Sequence, residues 1–68
     1  MEWKDYWPKT YKRSTIGRYK IDYIVSNGKR YWTVDHFNVF VKGGCETEEE
    51  AIAFANSHNE ARIREALL

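Results

Sequence analysis

Cysteine, proline and methionine each occur once in these 68 residues. A single cysteine, Cys45, closes no internal disulfide and completes no zinc site alone, which excludes a disulfide-stapled scaffold. Cys45 reads as a small half-buried residue ahead of a helix, and a reducing, cytoplasmic setting is expected. Apolar runs are a few residues long, far short of the ~20 that a membrane-spanning helix needs. Met1-Glu2-Trp3-Lys4-Asp5 has no apolar core behind it, so no secretory leader is expected. Glycine-rich phosphate loops are missing too: Gly43-Gly44 is too short and runs into glutamates that would repel phosphate. Ser14 and Thr15 have no base near them in sequence, and no spacing ties His36 or His58 to Cys45. The two histidines read as a turn residue and a helix-surface residue. Catalytic residues, metal ligands, cofactors and a small-molecule substrate are therefore not expected, and the chain reads as a non-enzyme.

What the chain does have is aromatic side chains and a divided charge. Ten of the eleven aromatics precede residue 41. The formal net charge is +1, yet residues 1–42 carry nine Lys/Arg against four acids, and residues 43–68 carry two against six. A basic, aromatic first part is thus joined to an acidic second part. Such asymmetry suits a surface for nucleic acid or for an acidic partner.

Asn27-Gly28 is the strongest local signal. A two-residue type I′ turn needs positive φ at both positions, which Asn tolerates and Gly adopts freely. Alternation on both sides of the turn then sets a register in which Val25 faces Arg30, Tyr23 faces Trp32, Ile21 faces Val34 and Tyr19 faces His36. Tyr19, Ile21, Tyr23, Val25, Trp32 and Val34 share one face. Lys20 meets Asp35 across the strands on the other. A turn at Asp35-His36-Phe37-Asn38 leads to a third strand, with Val34 against Val39 and Trp32 against Val41, and Gly43-Gly44 ends the sheet. The expected strands are roughly 17–26, 29–35 and 38–42.

Thr47-Glu48-Glu49-Glu50 reads as a capping box, with three acids suited to the positive end of a helix dipole. The helix that follows is expected to kink or break near 57–59. On one straight helix Asn56 and Asn59 would fall inside the apolar stripe, whereas Ser57-His58-Asn59-Glu60 offers a second cap. Residues 48–57 would bury Ala51, Ile52, Phe54 and Ala55, and Ile63, Ala66 and Leu67 would anchor the second part. Residues 1–16 read as an aromatic and basic arm, with at most one helical turn before Pro8.

The expected fold class is α+β: a three-stranded antiparallel β-meander followed by a C-terminal helix, with an arm at 1–16 and one domain at 17–68. The helix covers one sheet face. The other carries Arg18, Lys20, Ile24, Tyr31, Thr33, Phe40 and Lys42, with Ile24, Tyr31 and Phe40 adjacent. They are too apolar for plain solvent, so either the Trp3, Tyr6 and Trp7 segment covers them or they bind something.

Gly43-Gly44-Cys45-Glu46-Thr47-Glu48-Glu49-Glu50-Ala51, placed after a meander, resembles the layout of three-stranded-sheet-plus-helix DNA-binding modules. The ethylene-response-factor type and the arm-binding domains of phage-type integrases are examples. Small phage inhibitors of host enzymes open a helix similarly. The resemblance covers residues 17–56 and implies a sheet that enters the DNA major groove with a helix behind it. The leading expectation is nucleic-acid binding through the outer sheet face and the arm. Lys12, Arg13, Arg18, Lys20, Arg30 and Lys42 would meet phosphates, and Tyr31, Phe40 and Trp3 or Trp7 would stack. The alternative is a module or inhibitor of phage or mobile-element type that binds a host protein, with the same aromatics as anchors. A monomer or homodimer is expected in either case, with no membrane partner.

Overall fold

A computed structural model describes residues 2–6, 11–14 and 17–67. Among them, five strands form one antiparallel sheet in the order of the chain: β1 (Trp3–Tyr6), β2 (Tyr11–Ser14), β3 (Tyr19–Ser26), β4 (Lys29–His36) and β5 (Val39–Cys45). One helix, α1 (Glu48–Leu67), follows and packs across β3, β4 and β5. The fold is α+β as expected, but the sheet has five strands rather than three. The described part of the arm is sheet: Trp3–Tyr6 and Tyr11–Ser14 pair antiparallel, from Trp3↔Ser14 to Tyr6↔Tyr11. That pair extends the sheet at the edge of β3. It does not lie over Ile24 and Phe40, which stay 57% and 63% exposed.

The β3–β4 hairpin has the expected register at every pair, from Tyr19↔His36 to Ser26↔Lys29. Asn27 and Gly28 turn it with φ of 52° and 79°. The β4–β5 register differs from expectation. Phe37 and Asn38 form a two-residue turn, with φ of 51° and 61°, so His36 pairs with Val39 and Asp35 with Phe40. Two irregularities then slide β5 along β4 until Cys45 pairs with Trp32. Gly43 and Gly44 do not end the sheet; together they oppose Thr33 in a bulge, with Gly44 at φ 70°. The slide gives Phe40 its place, since a Cβ on Gly43 would lie 2.8 Å from the Phe40 ring.

The core is small: Tyr19, Ile21, Val34, Cys45, Ala51 and Ala55 are each at most 1% exposed. Trp3, Trp32, Val41, Ile52 and Phe54 pack around it. Val25 and Val39 were expected there, yet they are 64% and 62% exposed. The helix covers only part of the strand length, and both valines stand beside turns. Cys45 is core rather than half-buried, and burial is the main force pushing its thiol pKa up.

At the start of α1 the Glu50 amide donates to Thr47 Oγ1 at 3.1 Å, as a capping box requires. Glu50 Oε2 accepts from the Glu46 amide, one residue before the cap. The helix is continuous from Glu48 to Leu67, which corrects the expected break near 57–59. Two of the residues that read as a cap, His58 and Asn59, have side-chain partners instead. His58 Nδ1 is 2.5 Å from Tyr19 Oη. Asn59 is 6% exposed and accepts from Arg62 Nη2 at 2.8 Å. Gly17 makes room for this contact, since a Cβ there would lie 2.9 Å from the Tyr19 ring and 3.3 Å from Asn59 Oδ1. Beyond Asn59 the described residues are exposed, Ile63 at 44% and Leu67 at 81%, so they do not anchor a second buried part. Among the described residues no helix is long and apolar enough to cross a membrane.

Candidate nucleic-acid interface

Residues directly opposite in antiparallel strands point to the same face. Lys4 pairs with Arg13, Arg13 with Lys20, Lys20 with Asp35 and Asp35 with Phe40. These five residues form one row across the whole sheet, on the face away from α1. With neighbouring strands about 4.8 Å apart, the row spans roughly 19 Å. Three cations stand side by side at one end, Asp35 follows, and Phe40 closes the row at the β5 edge. Like charges placed directly opposite destabilise a sheet by a few tenths of a kcal/mol or more. Lys4 belongs to this row, although sequence reasoning did not single it out. Its signal was the alternation of Trp3 and Asp5 with Lys4, which carries meaning only once β1 is seen to be a strand.

Next to the row, two turns meet. Gly17-Arg18 leads into β3 and Phe37-Asn38 joins β4 to β5, and the Phe37 amide donates to the Arg18 carbonyl at 3.1 Å. Arg18, Phe37 and Asn38 all have positive φ, at 52°, 51° and 61°. The Arg18 guanidinium carbon lies 5.4 Å from the Phe37 ring centroid. Between the turns is an open cleft of about 450 Å³ lined by Arg13, Ser14, Arg18, Lys20, Phe37 and Asn38, with Tyr19 at its base.

The expected apolar centre of Ile24, Tyr31 and Phe40 is split. Ile24 pairs with Tyr31, but the shifted register puts Phe40 beside Asp35, four positions along β4 from Tyr31. At about 3.3 Å per residue that is roughly 13 Å. Tyr31 is half-buried and borders a second depression of about 280 Å³ with Lys29, Arg30, Trp32 and Glu46.

Several expected contact residues stand on the helix side instead. Lys12 pairs with Ile21 and bridges Glu48 at 2.9 Å and Asp5 at 3.5 Å. The Glu48 hydrogen bond is the main cause that raises its pKa, against desolvation. Arg30 stacks over the Tyr23 ring at 4.7 Å. Lys42 Nζ lies 5.8 Å from the Phe54 ring of α1, because the bulge beside it carries that part of β5 toward the helix. Trp3 packs against the core. Trp7 lies outside the described residues.

The histidines lie together, which no sequence spacing announced. Tyr19 stacks on His36 with centroids 4.4 Å apart, and His36 and His58 are 5.5 Å apart. Burial, then Arg62 and His58, hold the His36 pKa below its ordinary value, against a raising contribution from the Gly17 backbone. Among the described residues no cluster of His, Cys, Asp and Glu could hold a metal ion. No protein-family model, curated protein or solved structure matches this chain.

Proposed function

We propose that this protein binds nucleic acid through the helix-free face of its sheet. The observation that carries the reading is the row Lys4–Arg13–Lys20, where three strands bring three cations together in register. Like charges placed directly opposite one another work against strand pairing, whereas a phosphate backbone gains a cation at each contact. Arg18 adds a fourth cation beside the row, and Phe37 and Phe40 add exposed aromatic rings, at 53% and 63%, that can stack on bases. Glu48, Glu49 and Glu50 sit in the first turn of α1, where they serve the helix dipole and the cap. In this reading the arm contributes as strand: Lys4 and Arg13 are its share of the row.

A titration with DNA followed by tryptophan fluorescence tests this at two salt concentrations. Affinity is expected to fall steeply with salt, with a log–log slope near −0.9 for each phosphate neutralised on duplex DNA. Lys4→Glu and Lys20→Glu each lower affinity and flatten the slope by about one contact or more. Absence of binding at low salt to both duplex and single strands would overturn the reading. A protein partner is then the second reading, favoured by Ile63 and Leu67, which sit one helical turn apart and exposed on α1.

A further inference from the structure

The two described two-residue hairpin turns of the sheet both have positive φ at both positions and different residues. Asn27-Gly28 is what such a turn prefers. Phe37-Asn38 places a bulky aromatic at φ 51°, where a residue with a large side chain is a rare exception. Local strain of this kind persists where the surroundings over-determine it. Here the strain holds the Phe37 ring at the mouth of the cleft, 53% exposed, with Arg18 against it and His36 edge-on at 4.6 Å. Arg18 is itself at φ 52°, tied to Phe37 by the backbone hydrogen bond between the turns. The cleft volume, about 450 Å³, falls in the range of ~300–1,000 Å³ that takes small ligands. Its described lining combines the exposed Phe37 ring and the buried Tyr19 with the cations Arg13, Arg18 and Lys20 and the polar side chains of Ser14 and Asn38.

We propose that this cleft takes one unpaired nucleotide of a single-stranded nucleic acid, with the base against Phe37 and its phosphate among Arg13, Arg18 and Lys20. The inference rests on the nucleic-acid reading above and narrows it. A base within a duplex offers no free ring face to a side chain on a two-residue turn, whereas an unpaired base does. Arg13 and Lys20 belong both to the cleft lining and to the cation row, so the strand leaving the cleft continues over Lys20, Arg13 and Lys4.

The experiment compares an oligothymidylate with a duplex of equal length by fluorescence anisotropy at low salt, alongside thermal unfolding of each variant. Phe37→Asn and Arg18→Gly suit the left-handed backbone at their positions. Both are expected to keep or raise Tm. Phe37→Asn weakens single-strand binding about tenfold or more, a larger loss than any it causes in duplex binding. Arg18→Gly weakens it severalfold, and Phe37→Tyr, which keeps the ring, retains it. The proposal is overturned if Phe37→Asn and Arg18→Gly leave single-strand affinity unchanged, or if the single strand binds no tighter than the duplex. Failure of both DNA forms to bind removes the general reading as well. Binding of both forms with no effect of either variant removes the cleft alone.

Discussion

Ile21 and Ile24 lie three positions apart on β3, and one is 1% exposed while the other is 57% exposed. They belong to opposite faces of one sheet. The face toward α1 closes on Tyr19, Ile21 and Val34 and binds its cation Lys12 in ion pairs with Glu48 and Asp5. The opposite face gathers Lys4, Arg13 and Lys20 and leaves Ile24 and Phe40 in the open. One strand pattern thus serves two faces, and a residue's face decides whether it packs under the helix or stands in solvent.

The comparison predicts its largest effect in the core. Ile21→Ala is expected to destabilise by about 2–5 kcal/mol, whereas Ile24→Ala stays within about 0.5 kcal/mol. Denaturant unfolding of both checks this, and equal losses would break the contrast between the faces.

A smaller effect depends on pH. His36 is held below its ordinary value of 6.5, so on acidification the unfolded chain takes up this proton before the folded protein does. Its stabilising contribution is complete above about 6.5 and is lost as pH falls through the lower folded value. Tm should drop between about pH 7.5 and about pH 5.5. His36→Phe keeps an aromatic ring against Tyr19 and should flatten that drop; an unchanged pH profile in this variant would assign the dependence elsewhere.

The smallest effect sharpens the division of the cations. Lys12→Ala removes two surface ion pairs, each worth about 1 kcal/mol or less. Because Lys12 points toward the helix, DNA affinity should hold in Lys12→Ala and fall in Lys20→Glu. A matching loss of affinity in both would erase the distinction between the faces.

Much of this was legible in the residues. Asn27-Gly28 admits one kind of tight turn, and a period of two then allows one pairing that keeps Ile21 and Val34 on a common face. Thr47 and Glu50 mark the helix start, because free amides there need acceptors. Other features were hidden for physical reasons. Phe37-Asn38 carries no turn signature at its first position, so from sequence the β4–β5 hairpin reads with a longer turn and a shifted register. Ser57-His58-Asn59 has the composition of a helix break, and only contact with Tyr19 and Gly17 makes those polar groups suitable for a continuous helix. Of the site, Arg13, Arg18 and Lys20 could be named from the chain, whereas Lys4 and Phe37 could not.

Local rules decided where this chain turns, where its helix begins and which side chains alternate, since those depend on neighbours within a few residues. Tertiary contacts decided how far the helix reaches along the sheet, leaving Val25 64% exposed on the same face as buried Ile21. They also decided that the first strands join the sheet edge and complete a row of cations, and that two turns distant in sequence close around one cleft. Burial and cross-strand position are sums over residues far apart in the chain, so no local pattern contains them.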